Sequence, residues 1–427
     1  MSASGSVATH FRRVTTSTYF RAIGMLSSGQ ALAALIPLAA APILGRLYMP
    51  RDYGALAAYM ALSALFGPIS TLQLQHGIIV ERSERRSIEL VMVSIMCAGA
   101  TALVAAVVSF VIFFGTAGVA EFADTRAWIL LLPASVLSSG TTTAIAFLAN
   151  RRASYGALAR IPILTAATTV VSSIALGLSG AGANGLFISY FLGQAITIAA
   201  YLSHFRSLCP QPPQTNPRRL LTLGWRHRDF ARYTLPSQFL SVVSLDMPAY
   251  VLTAAANASL LGSLQRARSL VAMPLTLIGN SAAQVFRQRA SEDYWRTGSC
   301  RRLYVRTGLG LFLVGLPPLV ILILFGPELF RLVLGPDWVE AGNIARILAP
   351  MLLLRLVCSP LSAVFSVVGK QRENLILSVL SLALIIFATW SPIAWGGDQY
   401  NIIPCFAAAY SATYLCFLVQ GWRYSSI

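Results

Sequence analysis

Residues 335–360 read GPDWVEAGNIARILAPMLLLRLVCSP. From Asn343 onward the stretch has the apolarity of a membrane-crossing helix, yet Arg346 and Arg355 sit among its leucines. An arginine near the bilayer centre costs about 2.5–3.5 kcal/mol on insertion scales. Three placements are open for such side chains: a water-filled cavity, an ion pair with another helix, or the lipid face. Which of them holds decides how the rest of the chain is arranged.

The same apolar texture runs along the whole sequence. Hydrophobic residues make up 56% of the 427 and charged residues 11%, with a mean hydropathy of +0.67. Soluble domains carry about 25% charged residues, so little of this chain is water-soluble domain. Runs long enough to cross a bilayer, about 20 residues, fall at 22–45, 55–79, 88–114, 127–149, 157–178, 185–204, 234–256, 262–285, 304–325, 342–368, 375–394 and 402–421. The runs are continuous rather than alternating, which excludes a membrane β-barrel. The expected fold is all-α, a polytopic membrane protein of twelve spans.

A net charge of +17 invites a nucleic-acid reading, but the positions argue against one. Twenty-four of the 32 basic residues fall in every second gap between spans, whereas the intervening gaps hold only Arg46, Arg51, Arg126 and Arg331. Cytoplasmic loops retain the Lys/Arg excess, so both termini are expected in the cytoplasm, and no nucleic-acid partner is. Arg12, Arg13 and Arg21 precede an apolar run too long for a cleaved signal, so that run reads as the first span.

The longest gap, 205–233, contains CPQPPQTNPRRL and is basic and proline-rich. It divides the chain into an N-terminal six-helix bundle at 1–204 and a C-terminal one at 234–427, with a cytoplasmic linker between them. A faint echo relates the halves. Span two opens YGALAAYMALSALFGP and span eight opens LGSLQRARSLVAMP, each with a glycine near its start and a proline about a dozen residues on. Parallel repeats about an axis along the membrane normal produce such an echo. Six scattered cysteines, four of them inside apolar runs, give no metal site or disulfide framework.

Three motifs carry a family resemblance: LGRLYMPRDYGALAAY at 44–59, LANRRASYGALARIP at 148–162, and GPDWVEAG at 335–342 followed by ILAPMLLLRLVCSPLSAVFSVVGKQRENL. On these the chain resembles Wzx-type polysaccharide or O-antigen flippases of the multidrug/oligosaccharidyl-lipid/polysaccharide exporter superfamily. The resemblance implies two six-helix bundles around a central cavity in the bacterial inner membrane. It also implies transfer of an undecaprenyl-diphosphate-linked oligosaccharide between leaflets by alternating access, for O-antigen, capsule or exopolysaccharide. The bilayer and this lipid are the implied partners, with a polysaccharide polymerase and chain-length machinery as further ones. No cofactor is implied beyond coupling to H+ or Na+.

Depth separates the intramembrane charges. Arg266 and Arg346 lie within snorkelling reach of the outer interface, Arg268 is slightly deeper, and Arg355 is roughly 13 Å further in than Arg346. Asp246 occupies the middle of span seven. Asp246 and Arg355 therefore read either as a structural ion pair between spans seven and ten, or as cavity residues. In the second case Arg355, with Arg346, Arg266 and Arg268, holds an anionic diphosphate, which suits the planar donor fork of arginine, and Asp246 binds a proton or sodium ion. Four arginines against one aspartate favour a positive lumen. Gln73, Gln75, His76, Asn280 and Gln284 read as interfacial rather than ligand contacts. Trp338, Trp128, Trp395 and Tyr400 read as an outer aromatic belt.

The nearest rival is a drug or cation exporter of the same superfamily, for which an acidic or neutral cavity is expected. A membrane-embedded glycan polymerase or ligase would need a sizeable outer loop with catalytic groups. The longest outer loop, at 326–341, has no His and no paired carboxylates for acid–base work. No phosphate-binding lysine loop is present either, so the chain is expected not to be an enzyme.

Overall fold

The computed structural model describes residues 28–115, 120–209, 216–368 and 370–426. The first basic cluster (Arg12, Arg13, Arg21) and the proline-rich tract at 210–215 lie outside the described residues. The long helices are α1 Ser28–Leu47, α2 Pro50–Ser70, α3 Glu84–Gly115, α4 Leu132–Arg151, α5 Tyr155–Leu178, α6 Gly182–Leu208, α7 Leu235–Ala254, α8 Ala258–Thr297, α9 Arg301–Leu334, α10 Val339–Leu361, α11 Gln371–Ala394 and α12 Ile402–Tyr424. Among the described residues eleven helices, against the twelve expected, are long and apolar enough to cross a membrane, and α7 is not among them. Gln238, Asp246 and three serines (Ser237, Ser241, Ser244) dilute its hydropathy. Ser241 and Ser244 return their protons to carbonyls one turn back, at 2.9 and 2.8 Å.

Local signals set the helix ends. Proline opens α2, where its missing N–H costs nothing, and the Asp52 carboxylate accepts from Met49 N at 2.9 Å. Positive φ at Leu72 (49°) and Gln73 (60°) breaks α2 from the short helix Gln75–Val80. Gln73 then holds the break: its Nε2 donates to Pro68 O at 3.0 Å, and its Oε1 accepts from Gln75 and pairs with His76.

The helices pack as two lobes. In the first, α1 lies on α5 and α6 through Ala40, Leu44, Tyr48, Val170 and Leu186, while α2, α3, α4 and α6 pack on one another. In the second, α10 is the central pillar between α8, α9 and α12, and α11 joins α12 to α7. Within the span containing α10, 67% of residues are buried, against 39% or less in every other span. Most of the stretch quoted at the outset is therefore packed against protein, although Arg346, Pro350 and Ser359 are exposed.

The lobes meet along α2 and α8. A Cβ on Gly54 would lie 1.7 Å from the Ala258 carbonyl oxygen, and one on Gly262 would lie 1.8 Å from Pro50 O and 2.7 Å from Gly54 N. Only glycine permits this approach, the small-residue crossing typical of membrane helices. The contact extends to the middle of α2, where Ala57 and Ala61 pack with residues of α7 and α8.

Several expectations need correction. Trp338 is not in an aromatic belt: it is fully buried and donates Nε1–H to Gly45 O at 2.7 Å, tying the start of α10 to α1. The outer loop expected at 326–341 is mostly not a loop, because α9 runs unbroken to Leu334; lipid offers no partner for freed backbone groups. Close packing of Gly326 against the Gly342 carbonyl holds that segment beside α10. Span eight is also longer than its apolar run, since α8 continues to a left-handed Gly298 (φ 71°).

Candidate substrate-binding site

Asp246 on α7 and Arg268 on α8 find each other. Arg268 Nη2 donates to Asp246 Oδ1 at 3.2 Å, and both side chains remain partly exposed, 12% and 24% respectively. Arg268 Nη1 is buried with no partner. The Asp246–Arg355 pair weighed from depth does not form; the acid selects the arginine on the neighbouring helix. Tyr250 lies in the field of both members of the pair and donates to Ala61 O on α2 at 3.3 Å.

Arg355 is half-buried on α10 and forms no ion pair or hydrogen bond among the described residues. It lines a 130 Å³ pocket with Thr276, Asn280 and Ser359. Arg268, Ala272, Thr276 and Asn280 recur every fourth residue, so one stripe of α8 runs from the ion pair to this pocket. Tyr410 and Tyr414 on α12 lie within electrostatic reach of both Arg268 and Arg355. Their four-residue spacing, which puts both rings on one helix face, was a signal present in the sequence but not drawn on.

The Arg355 pocket shares Leu275 and Leu352 with an apolar groove of 390 Å³ between α8, α9 and α10 that reaches Leu38 and Ala41 of α1. A cationic recess and an apolar trough thus have common walls.

The other two arginines lie elsewhere. Arg266 is buried at the lobe contact, its guanidinium 3.9 Å from the Tyr53 ring centroid and 5.8 Å from that of Trp338. It also donates to the Tyr53 hydroxyl, while its Nε is unpartnered. This is a cation clasped by aromatic rings across the lobes. Arg346 is exposed on α10 beside Gly326 of α9.

The basic loops gather at the end opposite that contact. Arg151 donates to Ile78 O at 2.9 Å and Ile79 O at 3.1 Å, joining the α2–α3 and α4–α5 connections. The linker helix Pro217–Arg226, capped by Asn216, is held to α3 by Arg219–Glu89 at 3.3 Å. Glu81 pairs with His227 at 3.3 Å and Arg86 at 3.6 Å. Burial alone would push the Glu81 carboxyl up, but His227, the Ser83 backbone, Arg226 and Arg86 together hold it below its ordinary value.

The fold is shared with solved membrane transporters. The lipid II flippase MurJ, in an inward closed conformation, superposes with a TM-score of 0.69 at 13% identity, over 94% of this chain and 89% of that one. An inward-facing multidrug resistance MATE family transporter matches at 0.62 and 14%, over 92% and 95%. A MOP superfamily transporter from Pyrococcus furiosus matches at 0.55 and 14%, over 95% and 96%. No curated protein sequence matches. The family model for polysaccharide biosynthesis proteins covers residues 43–343, and the chain belongs to that family.

Proposed function

We propose that the protein is a Wzx-type flippase that carries an undecaprenyl-diphosphate-linked oligosaccharide across the bacterial inner membrane, with both termini in the cytoplasm, and that it performs no covalent chemistry. One observation carries this reading: the recess lined by Arg355, which has no ion pair or hydrogen bond among the described residues, lies beside an apolar groove, with Leu275 and Leu352 forming part of the wall of each. A ligand that satisfies both has an anionic head and a long apolar tail. Arg355 and Arg268 hold the diphosphate, with Tyr410 and Tyr414 beside them, and the isoprenoid lies along α8 and α9. A cationic drug finds one carboxylate here, already paired with Arg268.

The ion pair supplies a coupling device. Diphosphate and the Asp246 carboxylate compete for Arg268, so headgroup binding frees Asp246 to take up H+ or Na+, and release of the headgroup restores the pair. Arg266, clasped at the lobe contact, secures the closed end rather than the substrate.

The reading is tested in cells by Arg355→Ala. Surface polysaccharide should fall at least about tenfold, as expected when a charge-assisted contact is lost, while the variant reaches the membrane at the normal level. Unchanged surface polysaccharide would remove Arg355 from the headgroup site.

A further inference from the structure

We infer that a hollow inside the N-terminal lobe is the subsite that reads the glycan, and that it accepts uncharged, hydroxyl-rich sugars. The inference rests on the lipid-linked substrate proposed above. The hollow measures 420 Å³ and is lined by α2, α4, α5 and α6. That volume lies within the range of small-molecule sites, about 300–1,000 Å³, and far exceeds a bare cation.

Its chemistry is specific. Nine hydroxyls and Gln194 face it, and none of its lining residues is charged. Thr142 donates its proton to the Ser138 carbonyl at 2.8 Å, and of the hydrogen-bonded pair Thr165 and Thr197 one donates to the other while the partner's proton goes to the helix carbonyl four residues back, at 3.0 or 2.7 Å. A hydroxyl that has given away its proton offers only lone pairs. The wall is therefore rich in acceptors and poor in cations: it suits a neutral donor such as a sugar hydroxyl and disfavours phosphate or carboxylate.

Serine and threonine also stitch membrane helices together, and Thr165 does so with Thr197 across α5 and α6 at 2.6 Å. Tyr190 of α6 likewise bonds Ser63 of α2 and Ser135 of α4, and Gln194 on its own helix; stitching does not account for Ser139, which is exposed, or for the half-buried Ser138. The position is also apt. Ala61, which accepts from Tyr250 in the other lobe, lies one residue from Met60 and two from Ser63, both of the hollow. Tyr250 in turn neighbours Asp246 and Arg268. One ligand can thus set its diphosphate on the second lobe and its first sugars on the first.

Two probes test this on the full-length protein in nanodiscs: a bare polyprenyl diphosphate, and the same lipid bearing a neutral hexose trisaccharide. The wild type should bind the glycosylated probe about tenfold more tightly, the effect of a few added hydrogen bonds. Thr142→Val with Gln194→Leu should abolish that gain and leave binding of the bare lipid unchanged. Gly67→Leu, which fills the hollow where a Cβ meets nothing within 4 Å, should do the same without removing a polar group. Arg355→Ala should weaken both probes alike, which separates the headgroup reading from this one. Absence of a gain in the wild type, or its survival in both hollow variants, overturns the glycan subsite.

Discussion

Asp246 holds its place because Arg268 neutralises it, and Arg268 keeps Nη1 unpartnered because the acid occupies only one side of its fork. A buried pair of this kind contributes little net stability, since desolvation offsets attraction, but removing one member leaves an uncompensated charge. Asp246→Asn should therefore bind bare polyprenyl diphosphate about tenfold more tightly, because the competing anion is gone. Its transport should no longer respond when the proton or sodium gradient is collapsed. Equal sensitivity to those gradients in variant and wild type would remove Asp246 from coupling. The spacing of these charges along their helices, about 1.5 Å per residue, was legible in the sequence, and on that ground Arg355 was the partner weighed for Asp246. The pair that forms is with Arg268, because spacing along a helix does not give the angle around its axis or which helix lies alongside α7.

The element that organises the molecule is the α2–α8 crossing. The glycines that echoed each other in the two halves, Gly54 and Gly262, are the residues at which these helices touch. A parallel repeat brings equivalent positions together near its axis, so the echo carried a contact that no single helix could reveal. Trp338 and Arg266 were misplaced for a related reason. Hydropathy ranks an aromatic or a charge near a span end as interfacial, whereas α1 and Tyr53 cover both from the opposite lobe. Gly54→Leu should force the crossing apart. Spin labels at the exposed Met49 and at Ser259, on the two sides of the contact, should then report a longer and broader distance than in wild type. An unchanged narrow distribution would mean that the crossing does not hold that end closed.

At the scale of the whole molecule, the lobes touch at the arginine-poor end, and the basic connections collect at the other. With the orientation proposed above, in which the basic connections are cytoplasmic, the proposed flippase would be closed toward the outside in this form. The all-helical membrane class was readable from the continuous apolar runs. The hydroxyl-lined hollow was not, because serines and threonines spread over four helices share no spacing in the sequence. The most direct test uses purified protein in liposomes with polyprenyl-diphosphate-linked oligosaccharide in one leaflet, and follows its appearance in the other. The wild type should move the lipid well above the protein-free rate, and Arg268→Ala with Arg355→Ala should slow it at least about tenfold. Transport at the protein-free rate by wild type, or at the wild-type rate by the double variant, would contradict the account.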